Sequence, residues 1–138
     1  MHNNAFKNLN APPFRKLRGY AFDPISSLKM DTAEINQIIY QVPWESNLLT
    51  GSGDYIKVID RHPASNTTYK PIDLNDPAIL ASDGLTPSKT NPQFHQQMVY
   101  TVIMYTIKSF EKAMGRMVQW SPVWKINKQN KLSNRKMT

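Results

Sequence analysis

Cysteine is absent from this 138-residue chain, which excludes disulfide bridges and thiolate metal sites. Long apolar runs are absent too, since none approaches the roughly eighteen residues that a membrane span requires. The opening segment, MHNNAFKNLNAPPF, lacks the apolar centre of a secretory signal. Together with a length that suits one domain, these absences favour a soluble, single-domain protein, and we expect a cytoplasmic location.

Patterns that carry catalysis are also missing from the sequence. It contains no nucleophile elbow, P-loop or dinucleotide-binding glycine pattern, and its one glycine-rich stretch, GSGD at 51–54, is typical of a hairpin turn. The three histidines, His2, His62 and His95, share no helical spacing. A zinc site built by this chain alone is therefore not expected, and we predict a protein that is not an enzyme and has no cofactor.

Acidic residues are absent from both ends of the chain. The net charge is +7, yet residues 23–114 hold all ten acidic side chains, so the excess positive charge lies in residues 1–22 and 115–138. A basic tail is most often a solvated segment. The alternative is phosphate binding by two basic arms, for which the candidate residues are Arg15, Lys16, Arg18, Lys125, Lys128, Lys131, Arg135 and Lys136.

The central part of the sequence predicts an α+β domain over residues 14–116, between an extended polar lead-in at 1–13 and a basic tail at 117–138. Alternating side chains indicate strands at 14–23, 37–45 and 54–63, and the last two form the best candidate for a hairpin. Residues 67–76 could add a fourth short strand. The proline-rich stretch 76–92 is predicted to be an irregular loop.

Residues 91–115 predict one long helix. Asn91 is a suitable N-cap, Pro92 a suitable first helical residue, and Gly115 a suitable C-terminal stop. The fold class that follows is a small, mainly antiparallel sheet packed on one long C-terminal helix.

This helix has more apolar surface than a single sheet can cover. At about 100° per residue, its apolar residues occupy well over half of the circumference, whereas one sheet face needs an arc only a little over 100° wide. A polar stripe is assigned to Gln93, Gln97, Thr101, Lys108, Glu111 and Lys112. Something else must therefore cover the apolar surface: the loop 76–92, the tail with Trp120 and Trp124, another copy or a different chain. The predicted contact residues for a partner are Phe94, His95, Met98, Val102, Tyr105, Phe110, Trp120 and Trp124.

His95 falls within the apolar arc and has two interpretations. The first is a core histidine hydrogen-bonded to a backbone carbonyl or to a nearby polar side chain, because buried polar groups usually find such partners. The second is a metal ligand or general base, which needs companions that the sequence does not supply. The first interpretation is favoured.

Several segments, KLRGYAFDP, YQVPWE and IKSFEKAMGR among them, resemble the N-terminal region of a family of large bacterial proteins that look like gluzincin-type zinc metallopeptidases. The similarity covers about residues 14–116, and its most specific part is DGLTPSKTNPQFHQQMVY. Proteins of that family continue to a helix with a His-Glu-x-x-His zinc motif. This sequence does not contain the motif, so no catalytic residue carries over.

The resemblance implies a region that packs against a further domain, as the wide apolar helix does independently. We therefore expect a non-catalytic interaction or structural module that docks through its helix to another domain or subunit, or to a copy of itself. A basic protein that associates with nucleic acid or the ribosome through its two arms is the alternative. No membrane partner is expected.

Overall fold

The structure is a computed structural model that describes residues 12–22, 36–46, 48, 52–121, 124–126 and 132–134. Most of the predicted lead-in and half of the predicted basic tail lie outside these ranges. The elements in chain order are β1 (Phe14–Tyr20), β2 (Gln37–Pro43), α1 (Pro77–Ala81), α2 (Pro92–Met114), β3 (Trp124–Ile126) and β4 (Leu132–Asn134). The α+β class and the packing of a small sheet on a long helix are confirmed.

Strands β1 and β2 form an antiparallel pair in which Leu17 lies opposite Tyr40 and Arg15 opposite Val42. Alternate residues of β1 point into the protein, so that Arg15, Leu17 and Gly19 are buried while Phe14 and Lys16 are exposed. This period of two is what a strand with one covered face requires. The predicted strand at 14–23 is thus confirmed over most of its length.

The predicted pairing of 37–45 with 54–63 is wrong, because β2 takes β1 as its partner. The second segment makes two isolated bridges instead, one from Lys57 to Ser52 and one from Arg61 to Thr68. The predicted fourth strand at 67–76 is reduced to that single bridge. Register follows from burial on a common face, and here Leu17 and Val42 are the residues that the core takes up.

The long helix begins and ends where its capping residues predict. The Asn91 side chain accepts a 3.0 Å hydrogen bond from the backbone N–H of Gln93, and Pro92 occupies the first turn, where its missing N–H has no cost. Gly115 adopts a left-handed conformation with φ of 67° and donates its N–H to the Glu111 carbonyl. The helix α2 spans 23 residues.

The stretch 76–92, predicted to be irregular, contains the short helix α1. Asp76 caps it by accepting a hydrogen bond from the N–H of Ala78, and Pro77 takes the first turn. Residues 82–91 are irregular as expected and lead into α2.

Among the described residues, the core lies between the sheet, α2 and the irregular segments. Its buried apolar members are Leu17, Val42, Leu48, Ile72, Leu74, Tyr100, Met104 and Ile107. Two of them, Ile72 and Leu74, come from a segment without regular secondary structure. The small sheet therefore covers only part of the inner face of α2, and irregular chain covers the rest.

Arg15 is part of this core and not of a solvated arm. Its side chain is 1% exposed; the guanidinium donates to the carbonyls of Leu74 and Glu45 and to the Asn75 side chain. It also lies over the Trp44 ring, 4.4 Å from the ring centroid. Burial lowers the pKa of Arg15, while the nearby Tyr100, Glu45 and Asp73 oppose that effect. The candidate role of Arg15 in a basic arm is therefore not supported.

Candidate interaction surface

The inner face of α2 is more polar than its sequence predicts. Gln97 and Thr101, assigned above to the polar outer stripe, are fully buried, and Gln96 is nearly so. The Gln97 amide accepts from Leu85 N–H at 2.8 Å and donates to the carbonyls of Arg18 and Leu85. The Thr101 hydroxyl donates to the Gln97 carbonyl within the helix. The assignment of these two residues to the solvent side is wrong.

The irregular segments that pack on α2 explain why the side-chain amides of Gln96 and Gln97 are buried. Segments without a strand partner have free backbone groups, and such groups must be hydrogen-bonded when buried. Gln96 hydrogen-bonds the backbone of segment 70–72 as Gln97 does that of Leu85. Its side-chain amide accepts from the Ile72 N–H at 2.9 Å and donates to the Lys70 carbonyl. The two glutamines thus replace the ladder bonds that a third and a fourth strand would have made.

Turning these polar residues inward leaves apolar side chains on the opposite side of α2. We call the residues on this side the outer stripe; they are the apolar Val99, Val102, Ile103, Phe110 and Ala113, together with Thr106. All six are exposed, and the largest of them, Phe110, is 59% exposed. A helix that hides its amides and presents its aliphatic and aromatic residues to solvent has a surface suited to a further contact.

The outer stripe is free of charge. Lys108 and Glu111 follow the buried Thr101 and Met104 by seven residues, so they lie on the same side of the helix as those two and not within the stripe. Glu111 is engaged with Tyr55, whose hydroxyl donates to its carboxylate at 2.7 Å. Any partner of the stripe therefore meets no charged side chain from α2 along its centre.

The hydroxyl groups on this side of α2 have partners within the helix. Thr106 donates to the Val102 carbonyl at 2.7 Å, and Ser109 donates to the Tyr105 carbonyl at 2.9 Å. Because these donors are satisfied internally, covering them with an apolar surface costs less than covering free hydroxyls.

The residues predicted to contact a partner do not all lie on one surface. Val102 and Phe110 belong to the outer stripe, and Trp120, 60% exposed, lies beyond its C-terminal end. Phe94 is instead buried against Tyr20, with ring centroids 5.6 Å apart, which removes it from any docking surface. The Trp124 side chain lies outside the description.

Three further predicted contact residues lie at the margins. Met98 is half-buried. Tyr105 is half exposed but packs edge-on against Tyr40, with ring centroids 5.4 Å apart. His95 is exposed, so its assignment to the core is wrong, although its Nε2 does lie 3.0 Å from a backbone carbonyl, that of Lys89. This contact ties the first turn of α2 to the preceding loop.

Val99 and Ile103 belong to the stripe but were not selected from the sequence. The available signal was spacing: Val99, Ile103, Thr106, Phe110 and Ala113 are separated by four, three, four and three residues. This alternation is the pattern of helices that pair side by side.

The basic candidates are less coherent than the stripe. Lys16 is exposed and Arg18 partly so, while Arg15 is internal. Lys125 lies in β3, where only the backbone is described, and Lys128, Lys131, Arg135 and Lys136 fall outside the described residues. The described part of the chain therefore does not bring these residues together.

Among the described residues, no three His, Asp or Glu side chains come close enough to hold a metal ion. Within the same ranges, none of the helices is both long and apolar enough to cross a membrane. Comparison of the chain with protein-family models, curated proteins and solved structures finds no match. The gluzincin-like resemblance therefore stays a prediction.

Proposed function

We propose that the protein is a non-catalytic interaction module that docks to another protein surface through the outer stripe of α2. The supporting observation is the inverted burial of this helix, with Gln96, Gln97 and Thr101 inside and Val99, Val102, Ile103 and Phe110 outside. Scattered exposed apolar residues are normal on any protein. A contiguous uncharged stripe along about four turns of one helix is the kind of feature that marks an interface.

The physical basis of the proposal is the free energy gained when exposed apolar side chains are removed from water. Apolar area removed from water contributes about 25 cal/mol per Å², and specific contacts typically bury on the order of 800 Å² on each partner. The large apolar residues of the outer stripe, together with Met117 and Trp120 beyond the helix end, are between 37% and 67% exposed. Docking would stabilise these residues without moving the core.

Site-specific photo-crosslinking in the host cell tests the proposal. A benzophenone amino acid at position 103 should give a covalent adduct, because Ile103 lies within the outer stripe. The matched control carries the same probe at Ala64, which is exposed in the turn at 63–65 and is not part of α2. Equal yields from the two positions, or no adduct from position 103, would contradict docking through α2.

The second proposal is the nucleic-acid- or ribosome-associated role, supported by the net charge of +7 and the acid-free ends. A protein that neutralises several phosphates loses affinity steeply as salt rises. Retention on heparin should then fall steeply with salt and should depend on residues 117–138. Replacing Lys16 and Arg18 by Gln would reduce the retention on heparin further. The control is a variant in which the order of residues 117–138 is scrambled, so that their charge is unchanged. Salt-independent retention rules this role out.

The cytoplasm is the compartment proposed for this module. Fractionation of host cells with an antibody against the folded domain tests that location, and recovery in a secreted or membrane fraction would contradict it.

A further inference from the structure

We propose that the occupant of the outer stripe is a second copy of this chain, whose α2 lies antiparallel to the first about a two-fold axis at Thr106. The inference rests on the proposed docking role of the stripe. It adds the partner, the direction of the two helices and the residues that meet.

Self-pairing first requires that the surface does not repel itself. The chain carries a net charge of +7, so two copies oppose each other at long range, and the contact between them must be uncharged. The outer stripe meets that condition because all its members are apolar or carry a hydroxyl already bonded within the helix. A partner with acidic side chains around a small apolar patch would suit the overall charge but would find no cation along the stripe.

The spacing of the stripe fits two helices packed along their length. Apart from Val102, its members are separated by alternating steps of four and three residues, which keep side chains facing a parallel or antiparallel neighbour. From Val99 to Ala113 the stripe is about 21 Å long, at 1.5 Å per residue. A contact of this size is at the weak end of specific interfaces, so the dimer should form reversibly and depend on concentration.

The order of side-chain sizes selects the antiparallel direction. In a two-fold contact, residue i of one copy meets residue j of the other and the reverse. An axis at Thr106 places Ile103 opposite Phe110 and Val99 opposite Ala113, because each pair is spaced almost evenly about residue 106. Large residues then meet smaller ones. In a parallel pair Phe110 would meet Phe110 and Ala113 would meet Ala113, leaving one crowded and one empty layer.

Sedimentation equilibrium of the purified chain over about 1–200 µM is the first measurement. A reversible shift from the 15.9 kDa chain mass to twice that mass is expected. Phe110→Glu should weaken dimerisation by at least about 30-fold, because a buried unpaired charge is strongly unfavourable at an interface. Tyr69→Glu is the matched control, because Tyr69 is an exposed aromatic residue distant in sequence from α2. The Tyr69→Glu protein should dimerise as the wild-type protein does.

A charge pair then tests the direction of the helices. Ile103→Lys and Phe110→Glu should each be monomeric alone, but an equal mixture should form a mixed dimer, since the lysine introduced at position 103 of one copy would face the glutamate introduced at position 110 of the other. The remaining Ile103 and Phe110 would meet in their native arrangement. Loss of self-association without rescue on mixing would refute the antiparallel register.

The absence of cysteine makes a third measurement clean. Thr106→Cys should form a disulfide-linked dimer under mild oxidation, because the two copies of residue 106 face each other on the axis. Ala81→Cys, exposed at the end of α1, should not. A chain that stays monomeric at 200 µM overturns the second copy as partner. In that case a photo-adduct from position 103 with a different protein would still support the docking role, and the absence of any adduct would refute both.

Discussion

A methyl group placed on Gly84 would lie 2.8 Å from the side-chain amide nitrogen of Gln97. Gly84 is buried, has φ of 90°, and directly precedes Leu85, whose N–H donates to the same amide. The helix and the irregular loop are therefore in contact at a point where the loop has no side chain.

Gly84→Ala should destabilise the protein by about 2–5 kcal/mol, because backbone strain at positive φ adds to steric overlap with Gln97. Gly115→Ala is the matched control. Gly115 also has positive φ, but nothing lies within 4 Å of the added carbon, so only the backbone cost of about 1–2 kcal/mol applies. Urea unfolding measures both. Equal losses would show that the close contact at position 84 does not contribute.

Gln97→Leu should cost about 2–4 kcal/mol, since it preserves the approximate side-chain size but leaves the Leu85 N–H and the Arg18 carbonyl without their partner. Gln93→Leu is the control. The Gln93 side chain is half-buried and makes no hydrogen bond to the described part of the chain, so its replacement should change stability by less than about 0.5 kcal/mol. A neutral Gln97→Leu variant would contradict the tethering role of the amide.

Stability should fall as pH rises above about 10. Burial, followed by the 2.6 Å hydrogen bond that Tyr100 donates to Glu45, raises the pKa of the Tyr100 phenol. The unfolded chain then ionises this residue near pH 10 while the folded chain does not, so the stabilisation is complete below pH 10 and is lost above it. Unfolding midpoints at pH 9, 10 and 11 measure the loss. Tyr100→Phe should show a smaller decline over the same interval, and an unchanged decline would refute the assignment.

Glu111 should link the pH to the segment that follows α2. Its carboxylate accepts from the Tyr55 hydroxyl at 2.7 Å and from the Val118 N–H at 3.0 Å. Both bonds, the one from Tyr55 first, lower the pKa of Glu111. The bond to Glu111, followed by burial, raises the pKa of Tyr55 to about 12. The stabilisation is therefore present above the ordinary carboxyl pKa of 4.5 and is lost as pH falls through the lowered value.

The Val118 amide proton shift in NMR spectra measures this titration directly. Its midpoint should lie below 4.5, and Glu111→Gln should abolish the transition. Tyr55→Phe removes the largest contribution and should move the midpoint upward. A Val118 shift that does not respond to pH in the wild-type protein would contradict the link.

Arg15→Lys should destabilise the protein by about 3 kcal/mol although the charge is retained. Lysine cannot reach Leu74, Glu45 and Asn75 together or stack on Trp44 as the planar guanidinium does. Lys16→Arg, the reverse exchange at the adjacent exposed position, should change stability by less than about 0.5 kcal/mol. Thermal unfolding followed by circular dichroism compares the two variants.

The elements that the sequence predicts well are those with local signals. Asn91, Pro92 and Gly115 define the ends of α2 without reference to the rest of the chain, and the alternation through Leu17 defines β1. The partner of β2 could not be predicted in the same way. Proximity along the chain favours the segment 54–63, but pairing is decided by which faces are buried together, and the sequence alone does not specify this.

The orientation of α2 could not be predicted because glutamine and threonine are ordinarily assigned to solvent. Gln97 lies inside because Arg18 and Leu85 place backbone groups around its side-chain amide. Those groups come from distant or irregular positions. The width of the apolar surface was therefore predicted, while the direction in which it faces required the fold.

The hydrogen bonds that the side chains of Gln96 and Gln97 make to residues 70–72 and 85 affect the local unfolding of the domain. Segments without secondary structure ordinarily fluctuate independently of the rest of the domain. Here the backbone N–H groups of Ile72 and Leu85 donate to Gln96 and Gln97 of α2, so they become free to exchange only when these segments separate from the helix. Their exchange with deuterated solvent should therefore be as slow as that of the interior amides of α2. The irregular segments around Ile72 and Leu85 should therefore unfold together with α2, as one cooperative unit.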